Sequence, residues 1–410
     1  MLEGQRRDNA RMDVDAGAGA RIAGLRKLAG WTQHQLAARA FVSTSLVKKV
    51  EQGRTPPSPA FVASCAAALG VEVRELYGVQ VADKISEFHS ETAGISELRE
   101  ALQAFDDPQP AEPGLSASAL RRQLDRAETF RTGQKYADLA MLLPQVLHHL
   151  FVLVADSSPT TREGELARGL LHDAYRLAAT VGGRFGHPDI AAAASERHVM
   201  LAGATGDPLR VAVSDWHRST HFLQNGNYAA GLRLLDRSLQ RVADQPQQSD
   251  ALGIAAQLHL RAAVMSARNG DGERADDHIQ EARALISQGA AASPYYNTDA
   301  SELNAVIHWC AVPVERYDGT EAVNRASRVK VFDPARPERV GHHHIDQARA
   351  WMLHGNRDRA LDELNLARRI SPHHTRTHPS VRETVRALAA ADRRATDSLA
   401  GFARWAGIQM

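Results

Sequence analysis

The residues from Thr32 to Gly53 are the part of this 410-residue chain whose types and spacing could do chemistry on a partner. Thr32, followed three residues later by Gln35, is typical of a capping box that starts a short helix. Ser43 can cap a second helix, which Gly53 ends. The spacing predicts a helix-turn-helix, a motif whose second helix can enter the major groove of DNA.

Each predicted helix has an inward and an outward face. Leu36, Ala37 and Ala40 form the apolar side of the first helix, and Val47 and Val50 turn inward from the second. Ala37 is small enough to let the two helices approach closely. The residues left facing outward on the second helix are Thr44, Ser45, Leu46, Lys48 and Lys49.

This region resembles the Xre/Cro-type phage-repressor family of DNA-binding domains over roughly residues 16–78. The matching residues are Gln33, Ala37, Val42, Ser43, Val47, Val50, Glu51 and Gly53, followed by the closing helices of residues 61–78. The family usually has Gly at the turn, where this chain has Phe41. A left-handed backbone there costs a non-Gly residue about 1 kcal/mol, so we expect a slightly remodelled turn.

Charge supports the same interpretation. Residues 21–60 carry seven basic residues against Glu51 alone, which gives +6 within a chain whose net charge is +1. A basic head on a mildly acidic body is expected of a domain that binds phosphates, and the alternative is a solvated surface with scattered charges. The basic residues are Arg21, Arg26, Lys27, Arg39, Lys48, Lys49 and Arg54.

Composition and cysteine usage bound the class of protein. Sparse aromatics and the absence of long β-branched alternation predict an all-α body. Cys65 and Cys310 lie far apart in apolar helical contexts, which indicates buried small residues in a reducing cytoplasm. No signal peptide, membrane anchor or run of 18 apolar residues is found, so we expect a cytoplasmic protein without a membrane partner.

The chain divides into four predicted segments. Residues 1–15 are polar and expected to be disordered. Residues 16–78 form the helix-turn-helix domain, with helices at about 16–29, 32–40, 43–52, 59–69 and 73–77, the fourth capped by Ser58 before Pro59. Residues 79–118 are a connecting helix and a Pro- and Ser-rich linker. Residues 119–410 form a helical-repeat domain.

Three segments of that domain share one pattern. Each begins near a loop glycine, places a small residue five positions later, an apolar residue four further on, and then another small one. The pattern resembles the tetratricopeptide repeat, with a longer period than usual. Degenerate copies occur near Gly133 and at Ala322. The three sets are Gly226, Gly231, Leu235 and Ser238; Gly270, Ala275, Ile279 and Ala282; and Gly355, Ala360, Leu364 and Ala367, the last ending at Pro372.

The combination of this head with tetratricopeptide-like repeats is similar to the architecture of peptide-pheromone-responsive regulators and of actinobacterial Xre-type regulators with repeat domains. This similarity implies a transcriptional regulator, a homodimer that reads an inverted-repeat operator, and a groove for a peptide or small-molecule effector. Among the DNA contacts, Thr44, Ser45 and Lys49 are expected to reach bases, while Gln33, Lys48 and Arg54 hold phosphates. The alternative is a protein-interaction scaffold with secondary DNA binding.

Counting back from each loop glycine predicts which residues face the effector groove. Asn304 and Arg349 are the preferred candidates, because a buried amide or guanidinium needs a hydrogen-bond partner. For Trp216 and Ile345, ordinary packing is at least as well supported. The predicted face comprises Trp216, Thr220, Gln257, Arg261, Asn304, His308, Ile345 and Arg349.

Other chemistry finds little support in the sequence. Consecutive histidines diverge around a helix by about 100° each, and the one carboxylate expected nearby is Asp346. The histidines are therefore interpreted as structural or surface residues, and neither a metal nor a cofactor is expected. Phosphate-loop, dinucleotide and H-E-x-x-H motifs are missing from the sequence, so no enzyme is predicted. The histidines are His342, His343, His344, His373, His374 and His378.

Overall fold

The computed structural model describes residues 16–78, 94–107, 114–246, 248–293, 296–391 and 397–408. Every regular element in these ranges is helical, which confirms the all-α prediction. In chain order the helices are α1 Ala18–Leu28, α2 Gln33–Arg39, α3 Thr44–Glu51, α4 Pro59–Leu69, α5 Val73–Tyr77, α6 Ile95–Gln103, α7 Ala117–Thr132, α8 Tyr136–Asp156, α9 Arg162–Arg184, α10 Pro188–Ala202, α11 Pro208–Gln224, α12 Tyr228–Ala243, α13 Ser249–Arg268, α14 Gly272–Ser287, α15 Glu302–Glu315, α16 Gly319–Ser327, α17 Pro337–His354, α18 Arg357–Ile370, α19 Pro372–Thr377, α20 Pro379–Ala391 and α21 Asp397–Ala406, with a 3₁₀ turn at Gly203–Thr205.

The five helices α1 to α5 form the head, by which we mean residues 16–78. The predicted caps are confirmed: Thr32 and Gln35 make a reciprocal capping box, and the Ser43 and Ser58 hydroxyls accept hydrogen bonds from the first turns of α3 and α4. The predicted inward residues of α2 and α3 are all buried. The predicted polar segment 1–15 and residues 79–93 and 108–113 of the predicted connecting helix and linker lie outside the described residues.

Phe41 occupies the turn between α2 and α3 with a left-handed backbone, at a φ of 55°. Val42 N donates to Ala37 O over 3.0 Å, and Ala40 N donates to Leu36 O over 2.8 Å, so the turn closes by ordinary helix-ending hydrogen bonds. The expected remodelling therefore does not occur, because the chain accepts the strained conformation at Phe41. The Phe41 side chain is 95% exposed and gains no packing in return.

The described residues fall into two compact units. Unit 1 takes in the head, residues 220–235 and the chain from 248 onward, and unit 2 takes in residues 81–219 and 236–247. In unit 2, α8 packs against α6, α7 and α9 through leucines that recur every three or four residues. They are Leu139, Leu143, Leu147 and Leu150.

Among the described helices, α8 alone is long and apolar enough to cross a membrane by length and composition. Its leucines form part of the unit 2 core. Such a helix passes the same test when it is the core helix of a soluble domain, so it is weak evidence for a membrane span.

Helices of unit 1 beyond the head pack as sequential pairs, α13 with α14, α15 with α16, and α17 with α18, consistent with helical repeats. The loop glycines Gly226, Gly270 and Gly355 have φ values of 74°, 88° and 98°, conformations that glycine adopts without strain. The small and apolar repeat residues of α14 and α18 are buried, and Pro372 starts α19 right after α18 ends. At Gly270 and Gly355 the repeat pattern therefore coincides with packed helix pairs.

The glycine-rich run and the two cysteines can be compared with the structure. The run of residues 182–186 is rich in glycine, which favours an interhelix loop, but this is wrong for residues 182–184, because α9 continues through Arg184. Gly182 instead permits close packing: a Cβ there would lie 2.5 Å from Ala191 N of α10. Cys65 and Cys310 are free and buried, and burial raises the pKa of each thiol to about 12.

Candidate nucleic-acid interface

Helix α3 presents one buried face and one exposed face. Val47 and Val50 are 0% and 2% exposed, which fixes the helix against the head core. The opposite side leaves Thr44, Ser45 and Lys48 exposed, together with Lys49. Short hydroxyl side chains beside two ammonium groups can donate to base edges and to phosphate oxygens.

An ion pair holds the end of α3 against the rest of the head. Arg26 of α1 donates to both carboxylate oxygens of Glu51, over 2.6 Å and 2.8 Å, and also to Trp31 O over 2.6 Å. Burial alone would raise the pKa of Glu51, but hydrogen bonds from Arg26 and Gln33 lower it. The pair therefore keeps α3 at a fixed angle to α1 and α2.

The basic residues of the head differ in their surroundings. Arg21 and Arg26 are buried, and Arg26 is neutralised by Glu51. Within residues 21–60 the exposed cations are Lys27, Arg39, Lys48, Lys49 and Arg54, and they give this part of the head a positive surface.

The remaining predicted DNA contacts, Gln33 and Arg54, flank α3. Gln33 Nε2 donates to Glu51 Oε2 over 2.8 Å, so this side chain also braces α3. Arg54 is exposed, and its backbone N donates to Lys49 O over 2.8 Å. The predicted contacts thus lie around one helix.

The head contacts the repeat helices of unit 1. Ser58 N donates to the Tyr317 hydroxyl over 2.7 Å, and Ala18 N donates to Glu383 Oε1 over 3.3 Å. A cleft of about 470 Å³ lies at this contact. It is lined on the head side by Ser43, Ser45, Leu46, Lys49, Arg54, Thr55 and Pro56, and on the repeat side by Arg316, Tyr317, Met352 and Leu353. Residues predicted to read DNA therefore face repeat residues.

Comparison with known proteins identifies the class of the head. Residues 18–76 match the family model described as a helix-turn-helix domain, which suggests DNA binding. Neither the curated proteins nor the solved structures include a match to this chain. The family match ends at residue 76, so the helices beyond the head are characterised by their geometry alone.

The predicted effector face is divided between the two units. Trp216 belongs to unit 2, where its ring lies edge-on to His217 at 4.7 Å, and the other seven residues belong to unit 1. Ile345 is 1% exposed and packs in the core with Leu364, which is the packing role considered for it. Thr220 is partly buried, and Gln257 Oε1 accepts from Asp299 N over 3.2 Å.

The two preferred effector candidates have partners within the protein. Asn304 Nδ2 donates to Asp299 O over 2.8 Å, and Arg339 donates to its Oδ1. Arg349 donates to Glu315 over 3.1 Å and to Asp346 over 3.2 Å. Neighbouring residues therefore supply the hydrogen-bond partners of both side chains, so their burial does not require an external partner.

Glu315, the last residue of α15, joins two arginines at the buried centre of unit 1. Arg268 Nε lies 2.8 Å from Glu315 Oε2, while Arg349 contacts the other oxygen. Burial alone would raise the pKa of Glu315, but these two guanidinium groups lower it to about 2. Two residues further along the chain, the Tyr317 hydroxyl accepts the hydrogen bond from Ser58 N of the head.

A second group of cations surrounds His308 on α15. Arg339 Nη2 lies 3.3 Å from His308 Nδ1, which itself lies 2.8 Å from Asn304 O. Burial and the charge of Arg339 lower the pKa of His308 to about 3, and burial with Arg339 and Arg268 lowers that of Arg261 to about 10. Asp299 and Asp346 partly offset the positive charge at Arg339. Sequence reasoning missed Arg339, because counting one residue per turn from the loop glycine passes it over.

Proposed function

We propose that this protein is a sequence-specific DNA-binding transcriptional regulator whose repeat region dimerises and binds an effector. The observation that carries the proposal is helix α3 of a matched helix-turn-helix domain, with Val47 and Val50 buried and the hydroxyl and ammonium residues exposed. A cytoplasmic location follows from the proposal.

The division of DNA contacts follows from position on the helix. Thr44 and Ser45 stand at the N-terminal end of α3, the end that approaches base edges in this motif, and Lys49 lies one turn further. Lys48, Arg54 and Gln33 flank that line and would hold phosphates. The Gln33 amide nitrogen carries two hydrogens, so its bond to Glu51 is compatible with a phosphate contact.

The docked head is, in this proposal, the form that does not bind DNA. A B-DNA major groove is about 12 Å wide, and its flanking backbones would need the space on both sides of α3. Met352 and Leu353 share the cleft with Ser45 and Lys49, so the head must leave this position before a duplex can reach α3. Release of the Ser58–Tyr317 hydrogen bond would be part of that step.

The effector class that suits the groove is an anion. Arg261 and Arg339 are close enough to each other and to His308 for Arg339 to lower the pKa of both neighbours, and a carboxylate or phosphate would relieve this repulsion. Helix α15 carries His308 and leads to Tyr317, which offers a route from the groove to the head. A peptide carboxylate and an acidic small molecule both meet this requirement.

The proposal is tested with DNA selected from a random pool by the full-length protein. Binding of the selected duplex should fall steeply with salt, since several phosphates displace counterions. Footprints on an inverted repeat, with half-sites about 34 Å apart or a multiple of that, would support a dimer. If the selection enriches no DNA sequence, while the protein still binds partner proteins in a separate pull-down, the scaffold alternative is favoured. A single protected half-site together with a monomeric mass would contradict the dimer.

A further inference from the structure

The two histidine runs that look separate in the sequence meet in unit 1. His342 lies on α17, His374 on α19, and His378 directly after α19. Their imidazole centroids are 5.4 Å, 5.2 Å and 5.2 Å apart in pairs. One nitrogen from each ring lies within 4.8 Å of one nitrogen from each of the others. Within the described residues these rings form a compact triangle of ligand atoms.

We propose that His342, His374 and His378 bind a divalent first-row transition metal ion, with Zn²⁺ as the type case. Imidazole nitrogen is a favoured ligand for this class of ion. With Zn–N bonds of about 2.0–2.1 Å, two nitrogens of a tetrahedral site lie about 3.3 Å apart. His342 Nδ1 and His374 Nε2 are already 3.2 Å apart in a ring-to-ring hydrogen bond, so the spacing suits two ligands and the metal ion would take the place of the shared proton.

Carboxylates lie at the far side of both of these rings. His342 Nε2 is 3.6 Å from Asp346 Oδ2, and His374 Nδ1 is 3.5 Å from Glu338 Oε1. Metal-bound histidines commonly give their other N–H to a carboxylate, which fixes the tautomer and turns the lone pair toward the metal. Glu338 and Asp346 lie one turn before and one turn after His342 on α17, so one helix face holds both supporting groups.

His378 can bind the metal as the third ligand only if one of its hydrogen bonds breaks. Its Nδ1 accepts a hydrogen bond from Ser380 N over 3.3 Å. A metal on Nδ1 would use that lone pair, and a metal on Nε2 would leave Nδ1 protonated, so binding breaks this hydrogen bond in either case. Three protein nitrogens leave the fourth tetrahedral position for water or another ligand.

The test measures Zn²⁺ binding to the full-length protein after treatment with a chelator, by competition with a chromogenic indicator. We expect one tight equivalent in the wild type, and at least tenfold weaker binding in His342→Gln and in His374→Gln. His354→Gln is the matched control, because His354 ends the same helix, is exposed and contacts Thr320. It should leave the affinity unchanged.

Two readouts keep the test independent of folding defects. Glu338→Gln keeps all three ligands and should weaken Zn²⁺ binding by about 10–100-fold. Co²⁺ should give the absorption of a tetrahedral site in the wild type and lose it in His374→Gln. Unchanged Zn²⁺ affinity in both ligand variants, or equal loss in His354→Gln, would overturn the proposal. The outcome does not depend on DNA binding, so it stands or falls separately from the regulator proposal.

Discussion

Arg26 and Glu51 form a two-pronged ion pair, 2.6 Å and 2.8 Å long, that ties the first helix of the head to the last turn of α3. Both side chains are at least nine-tenths buried. A buried carboxylate that loses its only guanidinium partner keeps an uncompensated charge, which is strongly destabilising. Together with the buried Val47 and Val50, this pair of residues 25 positions apart in the sequence holds the proposed DNA-reading helix in place.

We expect Arg26→Ala to destabilise the head by about 3–5 kcal/mol, because it strands the Glu51 charge. Hydrogen exchange of the α3 amides measures this local opening. The control is Arg74→Ala, whose partner Glu72 is exposed and whose loss should change little. Equal protection of α3 in both variants would show that the ion pair does not hold the helix.

Glu315 should make the stability of unit 1 depend on acid pH. Its pKa is lowered to about 2 from an ordinary value of 4.5, so its stabilising contribution is full above about pH 4.5 and is lost as pH falls toward 2. The difference in unfolding free energy between the wild type and Glu315→Gln should shrink between pH 6 and pH 3. A difference that grows on acidification would contradict the assigned sign.

Phe41→Gly should stabilise the head by up to about 1 kcal/mol. The left-handed backbone at a φ of 55° strains phenylalanine, and the exposed ring contributes no packing that glycine would lose. Gly53→Ala is the converse control: it places a side chain on a backbone with a φ of 68° and should destabilise the head. Denaturant midpoints of the two variants check the pair, and a shift of both in the same direction would refute the strain argument.

Tyr317→Phe should raise DNA affinity about two- to tenfold, because one hydrogen bond of about 0.5–1.5 kcal/mol no longer holds the docked head. Tyr175→Phe, in unit 2, serves as the control and should leave DNA affinity at the wild-type value. Anisotropy titration with the selected duplex measures both variants. Weaker DNA binding by Tyr317→Phe would indicate that the docked arrangement promotes binding.

Local signals explain why the head could be predicted closely. The caps at Thr32, Ser43 and Ser58 act over three residues, and the spacing of Val47 and Val50 defines one helix face. Such signals are complete within one helix, so they need no knowledge of tertiary contacts. The loop glycines of the repeats belong to the same class, since glycine adopts their positive φ values without strain.

Long-range contacts explain what the sequence did not reveal. The Arg26–Glu51 pair, the placement of Arg339 beside His308, and the meeting of His342 with His374 join helices that are far apart along the chain. The angles between helices decide these contacts, and no residue pattern encodes those angles directly. The effector face was predicted less well for the same reason. Counting back along each helix from the loop glycine selected Ile345, which packs in the core.

The central claim is that exposed residues of α3 read DNA, and paired lysine variants test it most directly. Lys49→Ala should cost about 1–3 kcal/mol on the selected duplex and relax its specificity. Lys48→Ala should weaken selected and random duplexes alike and reduce the salt dependence, as expected for a phosphate contact. The measurement is an anisotropy titration of both variants on both duplexes at several salt concentrations. Loss confined to the selected duplex for Lys49→Ala is the predicted result, and equal loss on both duplexes for both variants would contradict the division of roles.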